Sequence, residues 1–237
     1  MDIFLDLGFT LMGGTEASPP QKICEILEMG DEESEMLYDI TFCENHHTAD
    51  SLMVSLEKRL GCPINQTQQG EIKAFWQRQH DNVYELEGAS DLIRHLAHMG
   101  FNLHIISNLW FPFYQKFRTI FQEVLNLIRT ETLSFEEGVR KPGSAIYEIA
   151  LKRAGAVPGS SLMLGDSLRN DIIPCAKLGM KCVWFKSRPM EQEKLEFKRL
   201  VLSEVLGERR DNVSEADSLD EARSLIKNPG FFGKGNF

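Results

Sequence analysis

The chain of 237 residues contains no apolar run approaching the ~20 residues that a membrane span requires. It is short of cysteine. The five that occur, at 24, 43, 62, 175 and 182, are odd in number and never spaced C-x-x-C. That spacing argues against a zinc site or a disulfide framework and for reduced thiols in a cytoplasmic enzyme. Positive charge is also scarce: 26 Lys and Arg stand against 35 Asp and Glu, for a net charge of −9. A general nucleic-acid binder needs a basic face, and so does a protein that sits on an anionic membrane surface; the charge balance argues against both. The start, MDIFLDLGFTL, lacks the basic residues and small-residue cleavage site of a secretory signal, so a cytoplasmic location is expected. No internal repeat and no low-complexity segment occurs. Hydrophobic residues at 42% and charged residues at 26% place the chain among ordinary globular proteins and exclude wholesale disorder.

Short apolar runs alternate with helical patterns. Ile3-Phe4-Leu5 reads as a buried strand ending at Asp6. The stretch GGTEASPP (13–20) reads as a linker. From Gln21 to Asp81 the texture is helical, with stripes Ile23/Ile26/Leu27, Leu52/Leu56/Leu60 and Ile72/Phe75/Trp76. A helix follows Gly88 and stops at Gly100. Further strands are expected at 101–106, 130–134, 161–165, 181–185 and 213–216. Helices are expected at 112–129, 144–154, 171–178, 189–206 and 218–226, before a loose terminus NPGFFGKGNF. Alternation of this kind predicts βαβ units, hence an α/β fold with a doubly wound, Rossmann-like parallel sheet. A small all-helical unit is inserted after the first strand.

Ligands of such sheets gather outside the carboxyl ends of the strands. Asp6, Ser107, Asn108 and Asp166 fall there, with Lys141 before a helix and Asp171 five positions after Asp166 in GDSLRND. Acids, a hydroxyl and a lysine at one edge suit a metal and a phosphate together. Carboxylates are hard ligands for Mg²⁺, a lysine and a hydroxyl hold phosphate oxygens, and a carboxylate can itself be the nucleophile.

These motifs, FLDLGFTL, IISN, GVRKP and MLGDSLRND, resemble in order and spacing those of the haloacid dehalogenase superfamily. The helical insertion resembles that family's cap. The resemblance implies a catalytic core at 1–13 and 84–237 and a cap at 14–83. It implies Asp6 as covalent nucleophile and Mg²⁺ ligand, with Gly8 (through its carbonyl), Asp166 and Asp171 completing the metal site. Thr10, Ser107, Asn108 and Lys141 would bind phosphate or order the loop, and Lys141 would also neutralise Asp6. The expected partner is a small phosphorylated substrate, with no nucleic acid and no membrane; monomer and homodimer both stay open.

One departure matters. Gly8 stands where the family's phosphatases carry a second aspartate, and Phe9 where they carry glycine. The missing acid protonates the leaving group and activates water, work worth roughly 10²–10⁴-fold. Three readings follow. The first is a phosphatase that takes its proton from elsewhere, with Glu16, His46 and His47 as candidates. The second is a haloacid dehalogenase, or a phosphonatase using cap lysine Lys58 or Lys73. The third is a non-catalytic relative that binds phosphate or protein. Retention of Asp166 and Asp171 places phosphoryl chemistry first. Each residue also has a plainer role. Asp6 could cap a strand end, Ser107-Asn108 could cap a helix, and Asp171 could serve a helix dipole. Lys141 could be a solvated charge, and His46-His47 a surface pair. Gly8 could serve a turn with positive φ. His104 reads as a satisfied core histidine, Phe75, Trp76 and Tyr84 as cap and hinge packing, and 191–199 as a solvated helix face.

Overall fold

The computed structural model describes residues 1–14, 18–30 and 33–228. Its centre is a six-stranded sheet of β1 (Asp2–Leu5), β4 (Asn102–Ser107), β5 (Ile128–Leu133), β6 (Ser161–Gly165), β7 (Lys181–Phe185) and β8 (Val213–Ala216). The order is β5-β4-β1-β6-β7-β8, and every pairing is parallel. Chain order runs outward from β1 in both directions, so the switch point lies at β1, where a crevice opens past the strand ends.

Side-chain alternation loads both faces of the sheet. Ile3 and Leu5 of β1, Leu103 and Ile105 of β4, and Leu162 and Leu164 of β6 share one buried cluster. They pack there with α5 (Ala89–His98), α6 (Phe111–Ile120) and α11 (Leu219–Lys227). Phe4, Ile106 and Met163 face the other way, onto α8 (Ser144–Ala154), α9 (Ile173–Lys177) and α10 (Gln192–Leu206). A short α7 (Ser134–Glu137) follows β5. A strand buried on both faces reads as a continuous apolar run, as Ile3-Phe4-Leu5 does.

Among the described residues, four α-helices stand between β1 and α5: α1 (Pro19–Ile26), α2 (Ser34–Cys43), α3 (Ala49–Leu60) and α4 (Gln66–Gln79). Capping boxes start α3 (Thr48 with Ser51) and α4 (Asn65 with Gln68). The three expected stripes meet in one cluster of their own. Trp110, from the loop after β4, inserts into it, with ring centroids 5.8 Å from Phe75, 5.0 Å from Trp76 and 5.7 Å from Phe113.

The structure adds an antiparallel pair where the sequence suggests linker and hinge: β2 (Met12–Gly14) against β3 (Val83–Glu85). Each is three residues long, too short for a periodic signal. Tyr84 lies across Gly13; a Cβ there would stand 2.4 Å from its ring. The helix expected at 112–129 ends at Ile120, and that expected to start at 171 is preceded by a wide turn over Leu168–Ile172. Pro174, inside the apolar pattern, fixes the later start. Glu16 and residues 229–237 of the tail lie outside the described residues. Among the described residues no helix is long and apolar enough to cross a membrane. All five cysteines are free, with Cys175 and Cys182 buried.

Candidate active site

Asp6 is the first residue past β1, and its backbone N–H donates to Leu164 of β6 at 3.1 Å. Strand pairing thus fixes the carboxyl at the switch point. Lys141 is buried to 2% exposure, and its ammonium bridges two acids. It donates to Asp6 Oδ1 at 2.7 Å, to Asp171 Oδ1 at 2.6 Å and to the Ile106 carbonyl at 3.1 Å. All three ammonium protons are therefore used. Ser107, at the end of β4, donates its hydroxyl to Asp6 Oδ1 at 2.9 Å, and Thr10 donates to Asp6 Oδ2 at 3.3 Å. Oδ2 is left with the weaker partner and the freer lone pairs.

Asp171 is fully buried, and its Oδ2 accepts from the Ser167 N–H at 2.9 Å. Gly165 makes room for it: a Cβ on Gly165 would meet the Asp171 carboxyl at 2.5 Å. Asp166 Oδ2 pairs with Arg188 at 3.1 Å, and its carbonyl accepts from the Trp184 indole at 3.0 Å. Asn108 clamps the Lys141 loop in both directions, donating from Nδ2 to the Lys141 carbonyl at 2.9 Å and accepting its N–H at 2.8 Å. The sequence offered no signal for that clamp, because a loop-to-loop amide pair has no spacing rule.

Electrostatics follow from the geometry. Burial opposes the charge on Lys141, but Asp171 and Asp6 outweigh burial and hold the ammonium above the usual lysine range. Burial raises the Asp166 carboxyl, Asp6 and Asp171 raise it further, and it reaches about 7 in spite of Arg188. Burial also lifts Asp171, against the pull of Lys141. Asp6, Asp166 and Asp171 offer oxygens within 4.8 Å of one another. Three carboxylates against one buried ammonium leave negative charge that a divalent cation would offset. Hard oxygen donors at this density, open toward a cleft, suit Mg²⁺, which keeps water or substrate oxygens beside one or two carboxylates.

The cleft has a volume of about 500 Å³ and lies between this sheet edge and the inserted helices, a size suited to a small ligand. Asp6, Gly8, Asn108, Lys141, Asp166 and Asp171 line its floor, while Tyr38 and Phe42 of α2 line its far wall. Ser107 and Thr10 lie beneath, bonded to Asp6. Other sequence candidates lie elsewhere. His46 is buried against the Ile40 carbonyl at 3.1 Å, and His47 packs on Phe111 at 4.3 Å. Lys73 pairs with Asp50 at 2.8 Å. None of these lines the cleft, and neither does Lys58. His104 is the satisfied core histidine expected, bonded to Thr130 at 2.8 Å and Asp2 at 3.2 Å.

The loop after β1 corrects one expectation. The positive φ falls on Phe9 (55°), not on Gly8. A Cβ at Gly8 would meet nothing within 4 Å. Neither backbone conformation nor crowding requires glycine at that position.

A sequence model of the family described as haloacid dehalogenase-like hydrolase matches residues 21–185. The match takes in Ser107, Lys141, Asp166 and Asp171 and begins beyond Asp6. Over 132 residues the chain is 31% identical to a glyceraldehyde 3-phosphate phosphatase of Pyrococcus abyssi, covering 55% of each chain. Over 114 residues it is 32% identical to a protein of that name from Pyrococcus furiosus, covering 48% of this chain and 47% of that one. The chain thus spans about half the length of these curated relatives. A HAD phosphatase from Thermococcus onnurineus superposes with a TM-score of 0.55 at 17% identity, over 95% of this chain and 97% of that one. A HAD family enzyme from Bacteroides thetaiotaomicron, in complex with magnesium and inorganic phosphate, gives 0.55 at 16% identity over 81% and 98%. At these identities the likeness is one of fold.

Proposed function

The chain belongs to the haloacid dehalogenase-like hydrolase family, and we propose that it hydrolyses a small phosphorylated metabolite through an aspartyl-phosphate on Asp6. The observation that carries this reading is the Lys141 bridge between Asp6 and Asp171 inside a three-carboxylate cluster at the sheet switch point. A purely structural ion pair would not need three carboxylates gathered within 4.8 Å at the floor of a cleft.

In this proposal residues 14–83 form the cap over a core of 1–13 and 84–237. Asp6, Asp166, Asp171 and the Gly8 carbonyl would hold Mg²⁺. When bound, Mg²⁺ would neutralise the carboxylates and draw charge from the phosphate oxygens. Lys141 and Ser107 fix Asp6 Oδ1, so Oδ2 is the oxygen that attacks phosphorus. The ester P–O bond breaks, and the leaving oxygen takes its proton from water or from the substrate, since Gly8 has none to give. Water then attacks the aspartyl-phosphate; its P–O bond breaks, releasing inorganic phosphate and restoring Asp6. Asn108 keeps the Lys141 loop in place throughout. The names of the relatives make glyceraldehyde 3-phosphate the first substrate to try.

Phosphonatase chemistry needs an amine for a Schiff base, and Lys141, the one lysine of the cleft lining among the described residues, is committed to Asp6 and Asp171. Dehalogenation needs no metal cluster. The test is a panel of phosphate esters, phosphonoacetaldehyde and 2-haloacids, each with magnesium and with EDTA. Magnesium-dependent release of phosphate from an ester is expected. Turnover of haloacids indifferent to EDTA would overturn the proposal.

A further inference from the structure

Beside the cleft lies a second cavity of about 250 Å³, lined by Lys186, Ser187, Arg188, Lys194 and Lys198 among others, with Asp166 shared between the two. Four cations in one small cavity run against a chain whose net charge is −9. Two already have carboxylate partners: Lys186 with Glu215 at 3.3 Å and Asp217 at 3.0 Å, and Arg188 with Asp166 at 3.1 Å. Lys194 and Lys198 have none among the described residues. They stand four positions apart on α10, a spacing that puts like charges on one helix face and costs stability. Partial burial, with Lys194 and Arg188 close by, lowers the Lys198 ammonium below its ordinary range. The Ser187 hydroxyl, on the same wall, is buried without a hydrogen-bond partner.

Repelling cations, an unpartnered hydroxyl and open volume together describe a cradle suited to an oxyanion. We propose that this cavity is a second oxyanion site, in which Lys194, Lys198 and Arg188 hold a phosphate group. It stands independently of the catalytic proposal, since none of its lysines takes part in the reaction. The same phosphate chemistry has two sources: the second phosphate of a bisphosphorylated substrate reaching past Asp166, or free inorganic phosphate.

The probe is inorganic phosphate, titrated calorimetrically into the full chain with magnesium and with EDTA. The wild type is expected to bind two phosphates per chain with magnesium and one with EDTA. The double variant Lys194→Met with Lys198→Met, in which a methionine replaces the Lys198 ammonium that lies 5.8 Å from the Trp184 ring, is expected to bind one and none. Its loss in affinity at the second site should be ~10²–10⁴-fold, as two charge-assisted hydrogen bonds imply. Equal binding by variant and wild type in both buffers would overturn the site. Binding that EDTA does not alter, yet the double variant abolishes, would leave the site standing and count against the metal-dependent reading instead. Steady-state KM then separates the sources. A rise in the variant for a three-carbon bisphosphate, with no rise for the monophosphate, assigns the substrate's own second phosphate. No rise for either assigns free phosphate.

Discussion

The metal-free protein should lose stability as pH rises toward neutrality, the reverse of a protein held by ordinary ion pairs. Asp166 carries the argument. Its carboxyl moves from 3.8 to about 7 on folding, and its side chain is only 9% exposed, so solvent screening gives little discount. The folded chain keeps a proton there that the unfolded chain has released across the window from about pH 4 to about pH 7. Folding stability attributable to this group is therefore full below the unfolded value and is lost as pH climbs through the folded one. At 1.36 kcal/mol per unit the loss amounts to ~4 kcal/mol, and Asp171, also raised, adds to it in the same direction. Urea denaturation from pH 5 to pH 8 in EDTA should show the decline, and Asp166→Asn should flatten it. Magnesium binds the ionised acids and only in the folded state, so it should restore stability most strongly at pH 8. Parallel stability–pH curves in EDTA and magnesium, or an unaltered slope in Asp166→Asn, would refute the reasoning that links charge crowding to metal binding.

Asp6→Asn should abolish phosphate release while leaving the circular dichroism spectrum and the sheet intact; residual turnover above background would remove Asp6 as nucleophile. Gly8→Asp enters open space and should raise kcat on alkyl phosphates by ~10²–10⁴-fold, and an unchanged kcat in the magnesium-loaded variant would show that proton supply is not the bottleneck. Gly165→Ala drives a methyl to within 2.5 Å of the Asp171 carboxyl; a loss of ~1–3 kcal/mol in denaturation, with weaker magnesium binding by calorimetry, is expected. In the wild type, aryl phosphates should turn over much faster than alkyl phosphates, with log kcat falling steeply as leaving-group pKa rises; a flat dependence would point to an acid supplied from elsewhere in the cleft.

The core was legible because its strands are buried on both faces. Ile3-Phe4-Leu5 and Leu162-Met163-Leu164 are continuous apolar runs that end in a carboxylate, Asp6 directly and Asp166 after Gly165. The topology then delivers those acids to one edge, and Lys141 follows from the helix boundary before α8. Contacts between loops were not legible. Asn108 on the Lys141 backbone, Arg140 on Asp39 at 2.9 Å, and Trp110 inside the helical cluster join segments far apart in sequence, with no periodicity to announce them. The β2–β3 pair was missed for the same reason, and the cavity under Lys194 and Lys198 reads in sequence only as a solvated helix face.

The loop at Gly8 and Phe9 bears most on the chemistry. Its backbone bends at Phe9, where a positive φ costs a non-glycine residue ~1–2 kcal/mol. The chain pays that cost for a ring that lies 4.2 Å under the Arg188 guanidinium, a contact worth about 0.5–1 kcal/mol at an exposed site. Arg188 in turn holds Asp166. Gly8, by contrast, has ordinary φ and room for a side chain, yet carries none. The loop therefore spends its side chains on fixing the acids of the proposed metal site and none on proton transfer. In the proposed reaction Asp6 would still attack with Lys141 bridging it to Asp171. What this arrangement gives up is help for a poor leaving group, and the substrates it suits best are those whose departing oxygen is already a weak base.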